Sequence, residues 1–271
     1  MTDRLRFTIL GCGSSGGVPR LGTDAPDWGA CDPANPKNRR TRCSLLVERI
    51  GLAGITRALI DTSPDMHAQL LAAQVGVLDA VVYTHAHADH THGVDDLRQV
   101  VFNIHRRLPV WADGPTQNAL VARFGYAFVQ PTGSPYPPIL DLNTITDDTP
   151  FTVTGAGGDL TFIPFLCEHG SVDAQGFRIG NLAYLPDAVA IPEQHWPILD
   201  DLDVWIVDAL RRKPHPTHAH LAMALDWIAR ARPRRAILTN MHNDLDYAVL
   251  SEELPPHIRP AHDGMVIEIA A

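Results

Sequence analysis

Residues 84–90 read T-H-A-H-A-D-H and follow the apolar run Val81–Tyr83. His85, His87, Asp89 and His90 place four metal-ligating groups within six residues. Along an extended chain alternate side chains share a direction, so His85 and His87 can reach one metal together. Asp89 and His90 fall in the turn beyond and can face a second. Imidazole with carboxylate suits zinc, manganese or iron. A buried strand delivering this cluster to a turn predicts a site built for two metals, and hence a metal-dependent hydrolase. The bland alternative is a histidine-rich surface turn, but ordinary turns rarely combine this spacing with a buried strand just before it.

Two metals need further ligands, and later strand ends offer them. His169 follows Leu160–Leu166 in C-E-H-G, Asp187 follows Leu182–Leu185 in L-P-D-A, and His242 lies just past Ala236–Thr239 in T-N-M-H. Each sits where a strand gives way to a loop, the usual place for a site on a rigid scaffold. Singly each is weak evidence; together, in this chain order, they form a set.

The elements that must position these residues read as follows. Strands are expected at 5–10, 43–50, 56–60, 78–83, 108–111, 160–166, 176–179, 182–185, 204–207, 236–239 and 265–269. Helices are expected at 64–74, with Pro64 in the first turn, and at 94–104, 115–128 and 220–231. Residues 19–42, rich in Pro, Gly, Asp and Arg, read as an irregular excursion. Residues 126–150 contain five prolines from Pro131 to Pro150 and read as a loop or lid. Strands with interleaved helices in both halves suit helices covering stacked sheets. No linker separates domains, so residues 1–271 are expected to form a single domain.

Composition bounds the rest. The chain has 271 residues, 45% hydrophobic and 20% charged, with a formal net charge of −9. That balance makes long nucleic acid a poor expected partner. No run is long enough to span a membrane, and the N-terminus lacks a leader-like apolar stretch. Four scattered cysteines, Cys12, Cys31, Cys43 and Cys167, do not form a disulfide framework, so a cytoplasmic protein with reduced thiols is expected.

The chain resembles the metallo-β-lactamase superfamily, and within it the PhnP-like branch of phosphoribosyl cyclic phosphate phosphodiesterases. The resemblance rests on L-G-C-G-S-S-G-G-V-P at the N-terminus, L-I-D-T at Asp61 and T-H-A-H-A-D-H. It continues through H-G with G-F-R-I-G, L-P-D, H-P-T-H and D-G-M-V-I-E-I, nearly the whole chain. It implies an α/β (α+β) fold, an αββα sandwich of two stacked mixed sheets flanked by helices. It implies that His85, His87 and His169 bind one divalent metal (Zn2+ or Mn2+), that Asp89, His90 and a last-strand ligand bind another, and that Asp187 bridges them. Asp61 would brace the site rather than bind metal. Homodimers are frequent among such proteins, so a homodimer is a further expectation.

Two positions depart from the family pattern. Where its last-strand histidine stands, this chain has Asn240, and the takeover of that ligand role by His242 is the expectation. The branch's cysteine knuckle for a structural zinc is reduced to Cys31, and one cysteine cannot close a tetrahedral site. No structural zinc is expected there, and residues 22–42 should be held by ion pairs, hydrogen bonds and packing instead.

His218, in H-P-T-H-A-H, matches a family histidine beside the reacting phosphate, with His215 and His220 as neighbours open to the same role. It precedes the helix at 220–231, whose N-terminus could help hold an anion, while Thr217 could cap that helix. Gly11–Gly17 lacks the G-K-[ST] ending of a nucleotide loop and reads as a turn beside the site, with Ser14 and Ser15 as polar contacts. Tyr126, Phe128 and Tyr136 could stack on a base or ribose, or simply pack.

The expected reaction is hydrolysis of a small phosphodiester, cyclic ones included, of a nucleotide or phosphoribosyl compound, with Asp89 and His218 in catalytic roles. The alternatives are another hydrolase of the superfamily (lactonase, thioesterase or tRNA-processing nuclease) and a non-catalytic nucleotide- or metal-binding relative.

Overall fold

In a computed structural model, described over residues 3–271, fourteen strands form two seven-stranded sheets. In chain order the strands are β1 (Arg4–Gly11), β2 (Ser44–Ile50), β3 (Ile55–Ile60), β4 (Ala80–Val82), β5 (Leu108–Ala112), β6 (Leu140–Thr144), β7 (Phe151–Val153), β8 (Leu160–Cys167), β9 (Ala174–Ile179), β10 (Leu182–Leu185), β11 (Val204–Asp208), β12 (Arg235–Thr239), β13 (Ile258–Pro260) and β14 (Met265–Ala270). The α-helices are α1 (Met66–Ala72), α2 (Ala88–Thr91), α3 (Leu97–Ile104), α4 (Gly114–Phe128), α5 (Leu221–Ala231) and α6 (Tyr247–Glu253). No described helix is long and apolar enough to cross a membrane.

One sheet runs β14-β1-β2-β3-β4-β5-β6 and the other β13-β12-β11-β10-β9-β8-β7. Both are antiparallel at one end and parallel at the other. This is the two-sheet αββα sandwich. Its layers follow from alternation along the strands. In β1, Leu5, Phe7 and Ile9 are buried while Arg4, Arg6 and Thr8 are less so. The inward set meets Phe162, Phe165, Phe177 and Ile179 of the facing sheet in the main core. The outer face of the first sheet carries Leu46, Leu59, Val81 and Val110 under Leu70, Leu97, Val100 and Leu120 of the helices. Strand β4 is apolar and buried throughout because both its faces are covered.

The pairing directions fix where chemistry collects. Strands β1, β3, β4, β5 and β6 run one way, and β8, β10, β11 and β12 share a direction in the second sheet. Asp61, the histidine segment, His169, Asp187 and Asn240 each follow the carboxyl end of one of these strands, and Asp208 is the last residue of β11. Asp61 and Asn240 take positive φ, 63° and 59°. Acidic and amide side chains tolerate that conformation better than most, and it turns both sharply off their strands.

Three regions differ from the sequence reading. Residues 126–150 are not all loop: Leu140–Thr144 pairs in parallel with Leu108–Ala112, and the prolines flank that run without entering it. Strands β7 and β13 and helix α6 add short elements whose few residues carry too little periodicity to read. Thr217 does not cap the helix that follows; His220 is its N-cap residue and makes no side-chain capping bond.

The excursion at 19–42 is organised by a buried guanidinium. Arg40 is 1% exposed. Its Nη1 donates to the His242 carbonyl at 3.2 Å, its Nη2 to the Leu245 carbonyl at 2.6 Å and to Asn38 Oδ1 at 3.4 Å, and Cys31 Sγ lies 4.0 Å away. Asp246 accepts from Asn38 Nδ2 at 2.6 Å and from the Asp32 amide at 3.0 Å while capping α6. Gly11 lets this segment close against β1: a Cβ there would stand 2.1 Å from the Arg42 carbonyl oxygen.

Candidate metal centre

His85, His87, His169 and Asp187 each offer a ligand atom within 4.8 Å of the others. His85 Nε2 lies 2.9 Å from His87 Nδ1, and His169 Nε2 lies 3.1 Å from the same atom. Asp187 Oδ2 stands 3.6 Å from both His85 Nε2 and His169 Nε2. It also stands 3.3 Å from His90 Nε2, which in turn lies 3.6 Å from Asp89 Oδ2. Asp187 thus sits between a three-histidine set and the Asp89–His90 pair.

The tautomers are set from behind. Asp61, fully buried, accepts from the Thr84 amide at 2.8 Å, from Thr84 Oγ1 at 2.8 Å and from His90 Nδ1 at 2.7 Å. With its proton given to Asp61, Thr84 Oγ1 is left to accept from His85 Nδ1 at 3.0 Å. His169 Nδ1 donates to the Thr217 carbonyl at 2.7 Å. His85 and His169 therefore turn an unprotonated Nε2 toward their neighbours. Arg123 of α4 donates to the Ala86 carbonyl and pins the turn between His85 and His87.

These donors fit a divalent cation. Burial pushes the imidazoles of His85, His87 and His169 below their ordinary range, so they are neutral near pH 7. Converging lone pairs repel unless something positive lies between them. Asp187 stays ionised; burial works against its charge, but His90 beside it outweighs that. His90 differs from the other rings. Burial opposes its charge, yet Asp187 and Asp61 outweigh the burial and raise its affinity for a proton. A cation beside His90 must displace that proton, which weakens the second position relative to the first.

Asn240 occupies the place beside Asp187 where the resemblance asks for a histidine. Its Nδ2 lies 3.0 Å from Asp187 Oδ1 and 3.2 Å from Asp208 Oδ1, and 3.2 Å from His218 Nδ1. The structure does not bring His242 into this cluster. Its ring lines the same cleft, with Nδ1 3.4 Å from Asp244 Oδ1 and Arg20 and Arg211 as neighbouring charges.

Asp208 escaped the sequence reading. It is fully buried at the end of β11 and accepts from His218 Nδ1 at 3.0 Å and from the Ala188 amide at 3.1 Å. Burial pushes its carboxyl up to about 7 against the pull of those hydrogen bonds. For His218 burial works the other way and is outweighed by Asp208, which raises the imidazole to about 9. Between those values the pair carries one proton, on the ring. The available signal was an acid closing the buried run V-W-I-V, the same pattern that ends in Asp61.

His218 packs edge-on against His169, ring centroids 4.5 Å apart, and joins His87, Asp89, Asp187 and Asn240 around a cleft of about 430 Å³. Ser14, Ser15 and His215 line the same cleft; His220 does not. Tyr126 and Tyr136 line a separate hollow with Phe102, and Phe128 is buried, so none of the three faces the cleft. A larger hollow of about 790 Å³ lies on the outer face of the first sheet, but its Arg6 and Arg57 are neutralised by Glu48 at 2.7 and 2.9 Å. His87, Asp89, His169, Asp187 and His218 all line the smaller one, with His85, His90 and Asp208 buried behind them.

Residues 56–241 match the family described as a beta-lactamase superfamily domain. The chain belongs to that superfamily. A crystal structure of a diphosphatase of the PhnP family superposes with TM-score 0.87 at 33% identity, covering 99% of this chain and 98% of that one. This is a PhnP-like member of a hydrolase superfamily. Zn2+-bound PqqB from Methylobacterium extorquens (TM-score 0.73, 17% identity, 97% and 100% covered) and the short form of human tRNase Z (0.63, 16%, 97% and 98%) share the fold. An octanoyltransferase of Porphyromonas gingivalis is 36% identical over 268 residues, 96% of this chain. The chain spans only 51% of that protein's length, so its name does not carry over.

Proposed function

We propose that this superfamily member is a phosphodiesterase acting on small phosphodiesters, including cyclic ones, of nucleotides or phosphoribosyl compounds. The observation that carries the reading is the Asp208–His218 pair. It holds a proton on an imidazole beside His169, and with Nδ1 engaged by Asp208 the remaining Nε2 is the nitrogen free to serve the cleft. An alkoxide leaving group needs a proton, whereas a thiolate does not, which favours ester over thioester cleavage.

His85, His87 and His169 would hold one divalent cation, zinc or manganese, and Asp89 and His90 a second, with Asp187 between them. When bound to such donors, cations of this kind acidify a water molecule and neutralise charge that builds on phosphoryl oxygens. The chain's own residues do the rest. Asp61 and Thr84 hold His85 and His90 in register, Asn240 orients Asp187 relative to Asp208, and His218 gives its proton to the departing oxygen. A cleft of about 430 Å³ suits a small molecule rather than a polymer. The net charge of −9 argues the same way.

Turnover of bis-p-nitrophenyl phosphate by the zinc- or manganese-loaded protein tests the reading, alongside a lactone and a glutathione thioester. Release of p-nitrophenol with neither other substrate consumed is the expected result. Metal-loaded protein that opens the lactone or thioester and leaves the phosphodiester intact refutes it.

A further inference from the structure

Helix α2 carries Asp89 and His90, yet it is a single turn, Ala88–Thr91. A turn that short does not hold its own shape, because the entropy of fixing its backbone outweighs the few hydrogen bonds it closes. His90 N reaches the His87 carbonyl at 3.1 Å, and His92 N the Ala88 carbonyl at 3.0 Å. The last carbonyls of the turn find no partner within it. The placing of both side chains must therefore be imposed from outside.

Thr62 imposes it. Its amide donates to the His90 carbonyl at 2.9 Å, its Oγ1 donates to the Thr91 carbonyl at 3.2 Å, and its own carbonyl accepts from the Gly93 amide at 2.9 Å. Three contacts thus fall within residues 90–93. With its proton given to Thr91, Thr62 Oγ1 accepts from the Tyr83 hydroxyl, 2.8 Å away. Thr62, Tyr83 and Thr91 are all fully buried, so bulk water does not compete for these groups. The turn lies directly on this stretch of chain: a Cβ on Gly93 would stand 2.2 Å from the Ser63 carbonyl oxygen. The preceding residue, Asp61, accepts from His90 Nδ1 at 2.7 Å. Asp61 thus fixes the ring of His90, and Thr62 fixes the backbone that carries it. The three-histidine set has other braces: Thr84 behind His85, Arg123 on the Ala86 carbonyl beside His87, and the Thr217 carbonyl behind His169.

We propose that Thr62, its hydroxyl oriented by Tyr83, is the positioning residue of the Asp89–His90 cation position and not of the three-histidine one. This rests on the reading that Asp89 and His90 hold a cation, and not on which ester is cleaved. The hydroxyl bonds to no ligand side chain; it acts through the main chain of residues 90–93.

Zinc titration of the metal-free full chain at pH 8, in competition with a chromophoric chelator, tests it. Thr62→Val keeps the branched shape and removes the hydroxyl. The second ion should then bind about 10- to 100-fold more weakly, the range for losing an outer partner of a metal site, while the first keeps its affinity. Thr62→Ser should restore the second ion. Thr62→Val also leaves the Tyr83 hydroxyl buried without a partner and should lower Tm; adding Tyr83→Phe removes that group and should return most of the Tm. The second ion should stay weak in this double variant, because the Thr91 carbonyl is still unheld. A second-ion affinity that recovers together with Tm makes the role merely structural and overturns the proposal. So does a Val variant that holds both ions as tightly as the unaltered chain, or weakens both equally; each of these leaves the two-ion reading standing. An unaltered chain that takes one ion and never a second removes that reading, and the role with it.

Discussion

At the scale of single residues, Asp208 decides what His218 can do. A buried imidazole by itself loses its proton more readily, and the carboxylate 3.0 Å away, aided by Asp187 and Asp89, reverses that, raising the ring to about 9. A general acid works in its protonated form, so activity that depends on His218 is present below that value and lost as pH rises through it. Cations beside Asp187 pull the limb lower still. In Asp208→Asn the largest opposition to burial is lost, the alkaline limb moves down, and kcat at pH 8 should fall about 100-fold for an alkyl ester. A p-nitrophenyl ester, whose leaving group needs no proton, should lose far less. Profiles of kcat against pH for the two esters check this; an unmoved limb would mean that the pair is only structural. The ligands were legible in the sequence because four of them crowd into one turn. Asp208 was not, since a lone Asp reads like any surface charge until the fold shows what surrounds it.

Among the elements, the segment at 19–42 depends most on one side chain. Arg40 threads its guanidinium between the carbonyls of His242 and Leu245, and so ties that segment to the turn after β12. Removing it leaves the Leu245 carbonyl without its donor, while the His242 carbonyl keeps the Leu245 amide at 3.3 Å and Asn38 Oδ1 the Tyr247 amide at 2.8 Å. Arg40→Met should cost about 1–3 kcal/mol, the range for leaving a buried carbonyl unpaired, read from urea unfolding. Arg40→Lys should recover part of it, because an ammonium has donors but not the planar fork. A loss below about 1 kcal/mol for Met would show that packing alone holds the segment. This also explains what could be read beforehand. The long strands and amphipathic helices carry enough periodicity to be seen. The clamp does not, because its partners are main-chain atoms some two hundred residues away. The same limit hid Leu140–Thr144, whose strand identity comes from the neighbour it pairs with rather than from its own five residues.

Across the whole molecule the centre joins two halves. His85, His87, Asp89 and His90 come from the first sheet, His169, Asp187 and Asn240 from the second, and apolar contacts between the sheets hold them at 2.9–3.6 Å. Without a cation the bare imidazole nitrogens repel one another across that seam, so a cation there acts as a clasp between the sheets. Ligand linkage at a thousandfold excess over Kd contributes about 4 kcal/mol, and about 2–4 °C of Tm accompanies each kcal/mol in a chain somewhat smaller than this one. Loading with zinc should therefore raise Tm by roughly 8–16 °C, and a chelator should reverse it. Loading should also be uneven. The first cation meets neutral histidines, whereas the second must displace a proton from His90 and finds the Asn240 amide already engaged with Asp187 and Asp208. Elemental analysis after dialysis should give close to one tightly held ion per chain, with the second appearing as pH rises and His90 deprotonates. His87→Ala should abolish the rise in Tm. Two equally tight ions at every pH would refute the asymmetry, and a Tm indifferent to zinc would refute the clasp itself.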